Sequence, residues 1–151
     1  MTSTEVLTVP KIGHFARLQG GPRCRGMADA RQSLGRQAED AAARFLAHAG
    51  LTVVARNVRF QHGELDLVCR DGSVWVFVEV KCRQARWGDA PAAAVEWWKR
   101  RRLVRLAQHY LKWKRLGEVP CRFDVVAVTV RPDGTTDLRH IPAAFDATGA
   151  G

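Results

Sequence analysis

The chain has 151 residues, 46% hydrophobic and 26% charged, which is the balance of one globular domain with enough length to bury a core. Lys and Arg number 24 against 15 Asp and Glu, so the net charge is +9, a field that attracts polyanions, with nucleic acid the leading candidate and a merely basic solvated surface the alternative. No apolar run approaches the roughly 20 residues that span a bilayer, and Cys24, Cys69, Cys82 and Cys121 lack CxxC spacing, so a membrane protein, a zinc module and a disulfide scaffold are set aside for a cytoplasmic chain with reduced thiols.

Residues 1–26 are rich in Gly and Pro with no sustained period. They are expected to be a disordered extension, or to lie ahead of a true start at Met27. From Asp29 to Ala49 the apolar positions Leu34, Ala38, Ala41, Ala42, Phe45 and Leu46 follow helical spacing, and Gly50 is placed to end the helix. Leu51–Ala55 reads as a first strand. Leu65–Cys69 and Val74–Val78 are β-prone runs joined across Asp71-Gly72-Ser73, where a two-residue Gly72-Ser73 loop suits a type II′ hairpin turn. A second helix is expected from about Ala92 to Leu116, with Val95, Trp98, Leu103, Leu106, Ala107, Tyr110 and Leu111 as its stripe and Gly117 at its end. Phe123–Val130 is nearly continuously apolar and reads as a central strand, Leu138–Ile141 as an edge strand, and residues 143–151 as a flexible tail. The order predicts one α/β domain over residues 27–142, a mixed sheet flanked by helices.

The chemistry concentrates on the run Val76-Phe77-Val78-Glu79-Val80-Lys81. A strand has a side-chain period of two, so Phe77, Glu79 and Lys81 share one face while Val78 and Val80 take the other. In the Gly72-Ser73 register Asp71 pairs with Val74, and counting back sets Asp66 opposite Glu79 with Cβ atoms about 5 Å apart. Two carboxylates so placed repel unless something lies between them. With no Cys or His in the motif the donors are all oxygen, which suits a hard cation such as Mg²⁺ or Mn²⁺. The same spacing is also met by a salt-bridged Glu79–Lys81 pair on a solvated strand face with Asp66 a nearby surface acid.

Leu34-Gly35-Arg36-Gln37-Ala38-Glu39, Ala55-Arg56-Asn57, Gly63-Glu64-Leu65-Asp66-Leu67-Val68, the Glu79 run and Arg122-Phe123-Asp124-Val125-Val126 together resemble the YraN family of bacterial proteins, over about residues 30 to 130. That family is placed in the restriction-endonuclease-like superfamily and is similar to archaeal Holliday-junction resolvases. The resemblance implies a restriction-endonuclease-like mixed sheet and a metal-dependent nuclease acting on DNA, branched DNA included. Asp66, Glu79 and Lys81 match the Asp…Glu-x-Lys signature, and Glu39 matches the helix-borne acid of the resolvase-like branch. The Pro often found before the first Asp is Leu65 here and the Gly before the helical Glu is Ala38; neither change removes a ligand. Mg²⁺ or Mn²⁺ is then expected on Asp66, Glu79 and the Val80 carbonyl, with Glu39 completing the shell and Lys81 orienting water or the scissile phosphate.

Arg83, Arg86 and the run Lys99-Arg100-Arg101-Arg102 are candidates for phosphate contacts, with a solvated face as the plain alternative for each. Of the five tryptophans, Trp75, Trp97, Trp98 and Trp113 read as core and Trp87 as the one to stack on a base. His62 reads as surface and Asp124 as a structural partner. The competing functional class is a non-catalytic nucleic-acid-binding or interaction protein that keeps the fold. A homodimer is expected if four-way junctions are the substrate, because two strands need two active sites.

Overall fold

The computed structural model describes residues 6–9, 26–84 and 97–147. The elements run β1 (Val6–Val9), α1 (Gly26–His48), β2 (Thr52–Phe60), β3 (Gly63–Asp71), β4 (Val74–Gln84), α2 (Trp97–Trp113), β5 (Cys121–Val130) and β6 (Thr136–Phe145). One mixed sheet has the order β1-β6-β5-β4-β3-β2. All neighbours are antiparallel except β4 and β5, which are parallel and are connected through the segment that carries α2. No helix of the described residues is long and apolar enough to cross a membrane.

Both faces of the sheet are covered, which explains the unbroken apolar run of β5. Ala38, Ala41, Ala42, Phe45 and Leu46 of α1 pack on Leu67, Cys69, Val76, Val78, Val126 and Val128. On the opposite face Leu103, Leu106, Ala107 and Tyr110 of α2 pack on Val68, Phe77 and Phe123. Phe77 therefore lies under α2, and Val76, Val78 and Val80 lie under α1, as the period of two requires.

The β3–β4 hairpin adopts the expected register, Asp71 opposite Val74 and Leu67 opposite Val78. Gly72 has φ 59° and Ser73 is not among the positive-φ residues, the signature of a type II′ turn. Gly50, at φ 97°, ends α1 in a Schellman arrangement: the Leu51 amide donates to Leu46 and the Gly50 amide to Ala47.

Several boundaries differ from the sequence reading. The first strand continues past Ala55 to Phe60, because it pairs with β3 along most of its length. α2 stops at Trp113, where Arg115 takes the left-handed turn (φ 54°) and Leu116 donates to Leu111; Gly117 comes after the helix has ended. β6 is longer than Leu138–Ile141, reaching Phe145 within the stretch expected as a tail, and it is not an edge. Val6–Val9, inside the expected extension, pairs with its outer side.

Candidate functional site

The β3–β4 ladder opens beyond Leu67 and Val78, and Asp66 and Glu79 face each other at that opening. In place of the next ladder bond, the Val80 amide donates to Asp66 Oδ2 at 2.8 Å. The two carboxyls are hydrogen-bonded to one another, with Glu79 as the acceptor. Burial, then the Glu79 charge, pushes Asp66 up to about 8 against the opposing pull of the Val80 amide, with Glu39 and Glu64 adding to the rise. Burial beside Glu79 thus favours the protonated form of Asp66, with Glu79 as the acceptor. Burial also raises Glu79, while Arg102, Lys81 and Lys99 hold it down. The carboxyl pair is accordingly half-buried in the sheet, with Arg102, Lys81 and Lys99 close enough to act on it.

Lys81 lies two residues beyond Glu79 on the same strand face, with Arg83 two further on. Their β5 neighbours in register are Ala127 and Thr129. α2 adds Lys99 and Arg102, one helical turn apart and both acting on Glu79. Close approach of α2 depends on Gly63 (φ 148°), where a Cβ would stand 3.2 Å from Leu106 Cδ1 and 3.6 Å from Arg102. The rest of the basic run diverges: the Arg100 guanidinium stands over the Phe145 ring at 5.6 Å. Arg86 and Trp87 lie outside the described residues.

Glu39 approaches from α1 through a contact that sequence reasoning missed. Asn57 Nδ2 donates to Glu39 Oε2 at 2.8 Å. Asn57 has φ 51°, a conformation Asn tolerates better than most residues, and it falls where the β2–β3 ladder skips between Arg56–Leu67 and Val58–Leu65. Both ladders are therefore interrupted beside Asp66. Burial and Glu64 raise the Glu39 carboxyl, opposed by Arg56, which itself pairs with Asp40. The signal available in the sequence was the Asn inside a β-prone run.

Asp124 belongs elsewhere. Fully buried, it receives both Arg122 Nε and Nη2 (2.9 and 3.0 Å), contacts His140 Nε2 at 2.8 Å and accepts the Ala143 amide at 2.9 Å. Burial alone would raise it, but these bonds from His140, Arg122 and Ala143 together hold it below its ordinary value. It ties β5 to β6, and through Arg122–Asp71 to the β3–β4 turn. His62, in the turn between β2 and β3, is exposed.

Among the described residues no group of three or more His, Cys, Asp and Glu side chains is gathered as a metal cluster. What converges is the Asp66–Glu79 pair, while Glu39 is held by Asn57. The donor chemistry nonetheless fits a hard divalent cation: two carboxylates, oxygen only, sharing a proton that such an ion displaces.

A mixed sheet with a helix on each face, carrying an acid pair and a lysine where two neighbouring ladders open, is an α/β fold consistent with a restriction-endonuclease-like domain. The model for Uncharacterised protein family UPF0102 matches residues 38–128. A UPF0102 protein of Symbiobacterium thermophilum is 52% identical over 116 residues, 76% of this chain and 97% of the relative. One of Anaeromyxobacter dehalogenans is 46% identical, covering 82% and 92% of the two chains, and one of Nocardia farcinica is 44% identical, covering 76% and 91%. The chain belongs to UPF0102, the YraN family indicated by its motifs.

Proposed function

We propose that the protein is a metal-dependent nuclease hydrolysing phosphodiester bonds in DNA, branched DNA included, and that it acts in the cytoplasm. The observation that carries this reading is the proton-sharing Asp66–Glu79 pair, set beside Lys81 and faced by Lys99 and Arg102. A buried acid pair is unfavourable in a protein that only binds DNA, since burial works against its charge and that charge repels the ligand; a hydrolytic centre gives it a use.

Asp66 and Glu79 would hold Mg²⁺ or Mn²⁺, joined by the Val80 carbonyl. When bound, the ion supplies Lewis acidity and lowers the pKa of a coordinated water. The chain's own groups do the rest. Asp66 releases its proton, and the Val80 amide keeps its carboxylate in place afterwards. Lys81 offsets charge growing on the phosphate oxygens as water attacks phosphorus and the P–O bond to the leaving strand breaks. Lys99 and Arg102 hold the phosphodiester against the acids. Glu39, held by Asn57 and near enough to act on the charge of Asp66, would order a water at the edge of the site. Cutting both strands of a junction needs two such sites, hence a homodimer on that substrate.

The test is cleavage of labelled linear, single-stranded and four-way-junction DNA with Mg²⁺ or Mn²⁺, comparing wild type with Asp66→Ala and Lys81→Ala. Loss of cleavage in both variants, with folding and DNA binding kept, is the expected result. Equal activity in all three would point to a contaminant, and tight salt-sensitive binding without cleavage would make the protein a non-catalytic binding module.

A further inference from the structure

Trp113 is 60% exposed, against the expectation that tryptophans at helical spacing go to the core. Besides it, the large hydrophobic side chains that are exposed among the described residues come down to Val54. Trp113 borders a cavity of about 510 Å³ walled by Val58, Arg59, Phe60, His109 and Lys112, within the usual range for small-ligand sites. Its ring is steadied edge-on by Phe60 at 6.3 Å and Tyr110 at 6.0 Å, and the Lys114 ammonium stands 4.2 Å from its centroid. His109 meets Phe60 at 6.1 Å. Arg59 is paired with Glu64, one of the acids that raises Asp66.

The position of this cavity on α2 matters as much as its lining. Lys99, Arg102, Leu106, His109 and Trp113 are spaced three and four residues apart and so form one stripe along the helix. Its first two members act on Glu79, and Leu106 seats on Gly63. The last two open the cavity. At about 1.5 Å of rise per residue, Trp113 stands about 16 Å along the axis from Arg102. That is the length of about five stacked nucleotides at about 3.4 Å each.

We infer that the Phe60–His109–Trp113 cavity is a stacking subsite for an unpaired nucleobase of single-stranded nucleic acid led along α2 from the Asp66–Glu79 pair. This deepens the nuclease reading and rests on it for the strand's direction. The occupant follows from charge complementarity. An aromatic floor walled by Arg59 and Lys112, with the Lys114 ammonium over one face of Trp113, on a chain of net charge +9, offers aromatic surface to a base and cations to the phosphates on either side. A duplex keeps its bases stacked inside and has no base to place there.

The full-length chain is titrated, in chelator and without divalent ions, into labelled oligothymidylate and oligouridylate of about 15 nucleotides, near the upper end of a single-strand site, and into a blunt DNA duplex. Base–aromatic stacking of about 1–3 kcal/mol corresponds to roughly 5- to 150-fold weaker oligonucleotide binding by Trp113→Ala. Trp113→Phe should keep most of the affinity, and duplex binding should change less than about twofold. Should Trp113→Ala fold poorly by circular dichroism, Lys112→Gln serves instead, lowering the salt dependence of single-strand binding by about 0.7 in log–log slope. The two oligonucleotides separate DNA from RNA. Equal oligonucleotide binding by wild type and Trp113→Ala overturns the inference, as does equal loss on the duplex. A change of sedimentation in Trp113→Ala with oligonucleotide binding intact also overturns it, giving the cavity to a second copy of the chain. Because nothing is cleaved in chelator, failure of the nuclease reading and failure of the subsite are read separately.

Discussion

Asp66 is asked to be a carboxylate in a place where the chain alone makes it an acid. Burial and Glu79 raise it from 3.8 to about 8. The unfolded chain therefore releases this proton near pH 4 while the native chain keeps it until about pH 8, so between those values the native state binds more protons. Stability of the metal-free protein should fall as pH rises from 4 to 8 and level off above. Asp66→Asn, which keeps the shape and removes the titration, should flatten that slope. Thermal unfolding in chelator should show it melting higher than wild type by roughly 3–6 °C at pH 8, for a gain of about 1–2 kcal/mol in a chain of this size, with little difference at pH 4. A pH slope in Asp66→Asn equal to that of the wild type would mean that Asp66 is ionised throughout. The pairing of Asp66 with Glu79 was legible from two facts, a turn with Gly72 at its first central position and a period of two. Asn57 was not: its left-handed backbone exists because Glu39 and the opened ladder hold it there, and those partners lie 18 and more positions away in the chain or across the sheet.

At the scale of elements, α2 meets the β2–β3 hairpin through Gly63. Gly63→Ala forces a Cβ to 3.2 Å from Leu106 and requires a side chain at φ 148°. It should cost about 1–3 kcal/mol in denaturant unfolding, and it should weaken cleavage as Arg102 is pushed off. The Asp124 cluster provides the contrasting case. Asp124→Ala removes the buried partner of Arg122, His140 and the Ala143 amide at once, leaving Arg122 only Asp71, and should cost about 3 kcal/mol, roughly 10 °C in melting temperature. Below that transition its cleavage should match wild type, since its ties are to β6 and the β3–β4 turn and not to Asp66. Helical spacing located α1 and, within the described residues, α2 with its stripe from Leu103 to Tyr110, while the expected start at Ala92, Val95 and the Trp98 side chain lie outside what is described. It could not say where α2 stops, because Arg115 ends it through backbone bonds to Lys112 and Leu111 before Gly117 is reached. Nor could it place Trp113, whose turn of the helix overhangs the sheet's outer strand, leaving less to bury it than its spacing implies. The expected edge strand was correctly a strand, but Val6–Val9 covers it.

Across the whole molecule, the charge of +9 and the acid pair would act in opposite directions on any polyanion, and Lys99 and Arg102 of α2 offset the Glu79 charge at the site. Binding should weaken steeply with salt. Arg102→Gln should lower the log–log slope on duplex DNA by about 0.9, one phosphate's share, whereas Glu79→Gln should leave the slope unchanged and strengthen binding. The most direct measurement of the central claim is calorimetric titration of Mn²⁺ into the full-length chain at pH 7, in two buffers of different ionisation enthalpy. One ion per chain with release of close to one proton, and loss of both in the Asp66→Asn, Glu79→Gln double variant, is the expected result. No uptake by the wild type, or the same heat from the double variant, would contradict it.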